Sequence, residues 1–338
     1  MTTTFGTWRQ LLHWGPLLAL FVITVISTTT INCILMYWPP LLSIGGFMHM
    51  SVFMGWNLLT LSNFFLGLYD GPGFVKFGWK PADKNAERYL QYCKVCEGYK
   101  APRSHHCRKC QRCVMKMDHH CPWINTCVGH RNHARFIYFL LFWLGYNNYR
   151  HLSLSRSQLK TVLYNKTGIE TWICEKAEHF EDEKPFVFPY DLGWRGNAKL
   201  VLRWNGRPVG DGIWWPVRDG CNQYTLTAEQ KYQKEEKRTR AVKYTIVESY
   251  GGALLPVSKG CRVLCGIPYS DEPRIRLETG DEVRVTRWKR HWMYGEQVTQ
   301  PPMSVPPRGW FPRRCAVELI NGDCDFPPPP KVVKKKQN

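Results

Sequence analysis

Two stretches of the chain, residues 17–37 and 41–69, carry no charged side chain. At 1.5 Å of rise per residue, each is long enough to cross about 30 Å of hydrocarbon as a helix. The link between them, residues 38–46, is also uncharged, whereas Arg9 precedes the first stretch and Lys76, Lys80 and Lys84 follow the second. Basic flanks stay in the cytosol, so both outer flanks are expected there, with Tyr37, Trp38 and Tyr69 at the interfaces. Residues 1–14 lack the small-residue ending of a cleaved leader, and the first apolar stretch outruns a signal core, so it reads as an anchor. A third apolar run, residues 136–146, has only 11 residues; a rise of about 17 Å is too short to span. Farther on, residues 242–250 alternate in the manner of a strand, 278–282 read as a turn, 283–288 as another strand, and Gly309-Trp310-Phe311-Pro312 closes the series. A charged segment, 229–240, precedes them as a linker or solvated helix, and 327–330 open a proline-rich tail expected to be disordered.

The mean hydropathy of −0.36 averages over these unlike parts. Half of the chain's 14 cysteines fall between Cys93 and Cys127. Such local crowding is unlike the scattered pairs of a secreted disulfide scaffold and favours metal. Cys93, Cys96, His106, Cys107, Cys110, Cys113, His120 and Cys127 are eight plausible ligands. Tetrahedral zinc takes four thiolates and imidazoles, so eight ligands make two closed sites of three Cys and one His each. Spacing alone lets either His119 or His120 ligate. Cys121 falls outside the ligand count and is flanked by His119 and Asp118, the setting of a nucleophile. A free thiol is only a few per cent thiolate at neutral pH, and a hydrogen-bonded histidine raises that fraction.

The net charge is +19. Arg103, Arg108, Lys109, Arg112, Lys116, Arg131 and Arg135 stud the cysteine region and suit anionic headgroups or the phosphates of coenzyme A. Nucleic acid is disfavoured by the flanking spans and the absence of a C2H2 helix.

Residues 89–135 resemble the cysteine-rich domain of the DHHC protein S-acyltransferases, with every signature position filled, ending in Asp118-His119-His120-Cys121. The resemblance implies that Cys93, Cys96, His106 and Cys113 hold one structural zinc and Cys107, Cys110, His120 and Cys127 the other. It implies Cys121 as the acyl-accepting nucleophile, His119 as its base and Asp118 as the group that orients the imidazole. Palmitate would pass from palmitoyl-coenzyme A through acyl-Cys121 to cysteines of membrane-associated proteins. Asp70-Gly71-Pro72-Gly73 resembles the family's Asp-Pro-Gly element with a glycine inserted before the proline, and a turn at the membrane surface explains it equally well. Thr167 with Glu170 resembles its Thr-Thr-x-Glu motif. Asn197 resembles the asparagine found after the family's last span, where an ordinary polar turn is the alternative. Asn165-Lys166-Thr167 is also a glycosylation sequon, kept bare by a cytosolic position.

The family normally has four spans, and most of the third and fourth is missing here. Loss of two crossings preserves parity, so the following tail stays cytosolic, but two helices and a stub are expected to enclose a long acyl chain poorly. The alternative reading is a catalytically impaired truncated isoform acting as a zinc- and SH3-containing adaptor or regulator, paired with a full-length relative or in a homo-oligomer. The C-terminal strands resemble a Src-homology-3 barrel, in which Trp292, Pro312 and Tyr250 would line a groove for a proline-rich ligand. Lys335 and Lys336 resemble a dilysine signal, and the combination resembles DHHC enzymes of the endoplasmic reticulum membrane with a C-terminal SH3 domain.

The expected architecture is therefore a mostly α membrane protein, with two transmembrane helices plus a short interfacial or partial third, a two-zinc Cys-rich domain and an SH3-like β-barrel. Residues 1–70 carry the cytosolic N-terminal tail and the two spans, 71–135 the zinc domain and 136–150 the truncated segment. Residues 151–239 form a cytosolic tail with the Thr/Glu motif and linker, 240–322 the barrel and 323–338 the tail.

Overall fold

The structure, a computed structural model, describes residues 8–146, 152–178, 186–270, 272–298 and 306–319. It divides into two compact units, Met1–Gln233 and Lys234–Asn338. Residues 327–330 and the lysines Lys335 and Lys336 lie outside the described residues.

In the first unit a short helix, α1 (Trp8–Leu11), leads into α2 (Trp14–Tyr37) and α3 (Ile44–Tyr69). Both long helices are long and apolar enough to cross a bilayer. His13 and Ser43 start them by accepting from the backbone N–H groups of Gly15 and Gly46. Leu17, Phe21, Leu35 and Met36 of α2 and Phe47, Met48, Val52 and Leu58 of α3 are exposed. An apolar surface of that extent suits hydrocarbon rather than water. Polar side chains within the spans are satisfied locally, Thr28 and Thr29 donating to carbonyls one turn back and Asn57 to the Ser27 hydroxyl.

After α3 the chain turns through Pro72 and Gly73. The carbonyls of Pro72 and Gly73 accept from the N–H groups of Arg131 and Met115, and the Val75 N–H donates to the Cys113 carbonyl. Gly73 has φ of 82°, and a Cβ there would lie 3.1 Å from the Met115 side chain, which gives the second glycine of the element its reason. Three antiparallel hairpins follow: β1 (Tyr92–Cys93) with β2 (Gly98–Tyr99), β3 (His105–Cys107) with β4 (Arg112–Val114), and β5 (His119–Cys121) with β6 (Thr126–Val128).

The short apolar run forms α4 (His133–Tyr146), a helix of 14 residues, still only about 21 Å long. It packs on α3 through Phe64, Leu68, Phe136, Phe139 and Leu140. The cavity lined by Ile23, Phe53, Trp56 and Phe142 among these helices measures about 30 Å³, room for a few waters at most and too small for an acyl chain. From α5 (Leu152–Leu163) the side chains of Gln158 and Thr161 reach back to Asp118 and His133, so the chain that leaves the hairpins in α4 returns to them in α5. α6 (Gly168–Ala177), α7 (Trp194–Val201) and α8 (Thr225–Thr239) complete the helices around the hairpins. The charged segment is thus largely helical.

The second unit contains β7 (Val242–Ile246), β8 (Tyr250–Gly251), α9 (Cys261–Cys265), β9 (Arg276–Leu277), β10 (Glu282–Trp288), β11 (Trp292–Val298), β12 (Arg308–Pro312) and β13 (Ala316–Glu318). Five of these strands form one antiparallel sheet in the order β12-β11-β10-β7-β13. Alternation in β10 turns Val283 and Val285 inward beside Ile246, Trp292, Met293, Phe311 and Cys315. The polyproline groove drawn from the sequence does not form from the residues named: Trp292 is 0% exposed and Tyr250 and Pro312 are buried too. Trp292 is spent on the core, its indole N–H donating to the Val263 carbonyl at 3.0 Å.

Replacing Trp292 by Ala removes the largest fully buried side chain and unpins α9, at a cost of about 3–5 kcal/mol. Hydrogen exchange of the β10–β12 peptides in the full chain should accelerate accordingly, whereas unchanged protection would deny Trp292 this role.

Candidate active site and metal centres

Cys93, Cys107 and Cys121 stand fourteen residues apart, as do Cys96, Cys110 and Ile124, and the ladder pairs Tyr92–Tyr99, His106–Cys113 and His120–Cys127. The hairpins are therefore three copies of one unit. In each, the residue after the second knuckle position turns the chain with positive φ, at Glu97 (52°), Gln111 (54°) and Asn125 (46°), a strained conformation held by the tight turn around it.

Each of the first two knuckles faces the His–Cys ladder pair of the next hairpin. Cys93 and Cys96 meet His106 and Cys113, and Cys107 and Cys110 meet His120 and Cys127, with all ligand atoms of each group within 4.8 Å of one another. A tetrahedron with bonds of about 2.0–2.3 Å has edges of about 3.3–3.8 Å. The Nδ1 atom of His106 lies 3.5, 3.4 and 3.9 Å from the sulfurs of Cys93, Cys96 and Cys113. That of His120 lies 3.7, 3.4 and 3.7 Å from Cys107, Cys110 and Cys127. Both groups thus have the donor set and the spacing of a site that could bind zinc.

The third knuckle lacks a partner. Its second position is Ile124, 1% exposed, and among the described residues no fourth hairpin supplies another His–Cys pair. The Cys121 thiol instead enters the apolar cluster of Ala19, Ile23, Phe64, Leu68 and Phe136. The hairpin tip is fixed there from three sides. The Asn125 amide donates to the Gln10 carbonyl. Gly15 of α2 lies so close to the Pro122 carbonyl that a Cβ would collide with it. Fully buried Asn132 donates to the carbonyls of Gly67 and Cys127 at 2.9 and 3.0 Å.

Beside the thiol, His119 Nδ1 lies 2.8 Å from Asp118 Oδ2. Burial opposes a charged imidazole, but the hydrogen bond to Asp118 and the Cys121 thiol outweigh it and raise the ring to about 9. Burial likewise opposes the Asp118 carboxylate. Hydrogen bonds from His119 and the Gly168 N–H, with the positive potential of His133, reverse this and hold it well below the usual carboxylate range. Gly168 N–H donates to Asp118 Oδ1 at 2.7 Å, and the Gln158 amide to Oδ2 at 3.1 Å.

Thr167 and Glu170 act one step behind. They form a capping box at the start of α6, the Thr167 hydroxyl accepting from the Glu170 N–H and the Glu170 carboxylate from the Thr167 N–H. The box aims the free Gly168 N–H at Asp118. Glu170 is 0% exposed, and Arg103 of the zinc region grips both its oxygens at 2.6 and 2.7 Å. The same guanidinium donates to Asn165 and lies 4.4 and 4.7 Å from the ring centres of Tyr190 and Trp215. Asn165, the sequon asparagine, is buried in this contact. Asn197 is buried as well and bridges the Leu163 carbonyl, Asp191 and the Leu192 N–H.

Arg103 and Gln158 are site residues that sequence reasoning missed. Arg103 and Lys116 were counted among basic side chains free to meet phosphates, yet both are 3% exposed, leaving Arg108, Lys109 and Arg131 as the exposed members of that set. Nothing in the sequence marks Gln158. The fourteen-residue repeat was available from the cysteine positions alone.

The DHHC palmitoyltransferase family profile matches residues 86–149. The chain is 41% identical to palmitoyltransferase ZDHHC6 of Mus musculus, with 97% of this chain and 96% of the mouse protein covered. It is 42% identical to the Danio rerio protein of that name, covering 92% of each. A probable protein S-acyltransferase 13 of Arabidopsis thaliana is 32% identical over 38% of this chain and half of its own length. The mouse alignment runs to 400 positions, more than the 338 residues of this chain, so part of the relative has no counterpart here. Likeness that runs from the spans through the sheet of the second unit exceeds a shared motif: the chain belongs to the DHHC palmitoyltransferase family.

Proposed function

We propose that this chain is a membrane protein S-acyltransferase that carries palmitate from palmitoyl-coenzyme A to cysteines of membrane-associated proteins through a thioester on Cys121. The observation that carries the reading is the third knuckle, which presents a thiol without metal partners between an imidazole and the apolar ends of α2, α3 and α4. Two zinc ions, one held by Cys93, Cys96, His106 and Cys113 and one by Cys107, Cys110, His120 and Cys127, would brace the hairpins and leave the chemistry to Cys121.

An imidazole that stays protonated through neutral pH favours a thiolate beside it. The Cys121 thiolate attacks the thioester carbonyl, a new carbon–sulfur bond forms, the bond to coenzyme A breaks, and His119 gives its proton to the leaving thiolate. In the second half His119 takes the proton of the incoming cysteine thiol, whose sulfur displaces Cys121. Asp118 keeps the ring oriented and stabilises its charge. The 30 Å³ cavity cannot receive the acyl chain, so the chain lies along the lipid-facing side of the spans beside Cys121. Its preference for hydrocarbon, about 0.8 kcal/mol per methylene, holds it there.

The basic flanks argue for a cytosolic zinc region. The helix lengths of α4 and α5 and the overlong alignment support loss of a pair of crossings between them, which leaves α5 on the same side as the hairpins. The antiparallel sheet, with its first and last strands adjacent, supports an SH3-like barrel. An endoplasmic-reticulum address rests on the resemblance alone.

Purified protein incubated with palmitoyl-coenzyme A should gain a hydroxylamine-labile acyl group that is absent from Cys121→Ser. A parent protein that never acquires it would end this proposal. His119→Ala should slow formation of that thioester by about 10²- to 10⁴-fold. Elemental analysis should find two zinc ions per chain in the parent and in Cys121→Ser, and a loss in Cys110→Ser. Retention of both in Cys110→Ser would contradict the ligand assignment. Removing one partner of a buried ion pair costs about 3–5 kcal/mol, so Arg103→Met should lower the unfolding midpoint and slow acylation together, while intact acylation would uncouple Arg103 from the site.

A further inference from the structure

The second unit carries a surface that neither the sheet nor the proposed acyl transfer uses. Between β8 and α9 the chain presents Leu254, Leu255 and Val257, exposed to 68%, 63% and 73%. Tyr250 fixes the start of this segment by donating to the Ala253 carbonyl, and Lys259 closes it by donating to the Ser249 carbonyl and pairing with Glu248. The aliphatic tip is therefore held out by its own hydrogen bonds. It runs directly into α9, whose Arg262 and Cys265 border a cleft of about 620 Å³ completed by Gly266, Lys289, Arg290 and His291. Among the described residues no acidic side chain lines this cleft. The neighbouring carboxylate, Glu248, is already taken by Lys259 and Arg314, whereas Arg262, Lys289 and Arg290 are exposed.

An exposed aliphatic segment that leads directly into a helix bordering a cationic cleft matches the two layers of a bilayer surface, apolar side chains entering the acyl boundary while basic ones meet phosphates. A soluble acidic protein would satisfy the charges but would leave three aliphatic side chains in water. We infer that this face, Leu254, Leu255 and Val257 with Arg262, Lys289 and Arg290, docks the second unit on a membrane surface containing anionic phospholipid. Covalent connection to a membrane-spanning unit keeps the face near lipid at high effective concentration, so three basic residues and one aliphatic tip suffice for a reversible contact. The inference rests on membrane residence and not on acyl transfer.

Cys261 and Cys265 are exposed thiols on either side of Arg262 and report directly on this contact. The full chain is reconstituted in nanodiscs of phosphatidylcholine, alone or mixed with phosphatidylserine, and treated with an uncharged polyethylene-glycol maleimide. Labelling of the two cysteines is then read by mass spectrometry. In the mixed discs it should be slower by about fivefold or more, and it should recover at 1 M salt, where the Debye length falls to about 3 Å. Arg262→Glu/Lys289→Glu/Arg290→Glu should label at the phosphatidylcholine rate in both discs, and Leu254→Ser/Leu255→Ser should lose part of the protection. Equal labelling of the parent in the two discs, or protection that survives the charge reversal, would overturn the assignment. Acylation of Cys121, followed in the same preparations, should not change in the charge-reversed protein, which separates this outcome from a failure of the catalytic reading.

Discussion

Tetrahedral coordination consumes four side chains, and the hairpin repeat spends them in a staggered way. Each knuckle contributes two cysteines to its own site, and the following hairpin contributes a histidine and a cysteine from its ladder. A chain of three such hairpins fills two sites and leaves the last knuckle without partners. Ile124 in place of a second cysteine makes that ending apolar, and the hairpin tip packs into the ends of the long helices. The number of groups that could hold a metal, the free thiol and its place beside the apolar helices thus have a common geometric origin. A cysteine at position 124 would offer a thiol pair for a third ion or a disulfide and cost the site its unpartnered thiol.

The thiol is only half of the arrangement, because its imidazole must be held by a carboxylate that burial disfavours. The chain solves this by bringing three segments to Asp118: its own hairpin, Gln158 from α5 and Gly168 from the start of α6. A backbone N–H at a helix start carries partial positive charge and stabilises an anion without adding another titrating group. The start of α6 is in turn fixed by Glu170, and Glu170 by Arg103, so the turn between the first two hairpins supports the third through a buried ion pair. Such a pair gains little over an apolar filling of the same volume; its value here is register, since a slip of α6 would withdraw Gly168 from Asp118.

Much of this was legible in the sequence, and the limits have physical causes. The two spans follow from uninterrupted apolar runs, and two sites of three Cys and one His from ligand type and count, because both signals are local; the division of the ligands between the sites comes from the resemblance to the family. Thr167 and Glu170 stand out through their resemblance to the family's Thr-Thr-x-Glu motif, but the capping box they form and the carboxylate they serve, fifty residues away in sequence, close only in three dimensions. Arg103 was unreadable for a related reason: an arginine in a basic, polar segment is solvated by default, and only the approach of Glu170, Tyr190 and Trp215 buries it. Trp292 erred in the other direction. An aromatic residue in a strand of a small sheet serves either a groove or the core, and the side it faces depends on register and on α9 covering it, neither of which the residue itself encodes.

The shortness of α4 acquires its meaning from which part of that helix the site uses. Phe136, Phe139 and Leu140 of α4 belong to the cluster that receives Cys121, with Trp143 packed against it one turn farther on, and Asn132 just before the helix ties the end of α3 to the third hairpin. α5 then supplies Gln158 from the same side as the hairpins. The hydrogen bonds that hold Asp118 and the third hairpin come from residues before α4 and from α5 and α6 after it. The later part of α4 borders, with α2 and α3, a cavity of only about 30 Å³ lined by Ile23, Phe53, Trp56 and Phe142. The hydrogen bonds that hold Asp118 and the third hairpin are thus built from other stretches of chain, and a change in the length of the helical excursion beyond Trp143 leaves them in place.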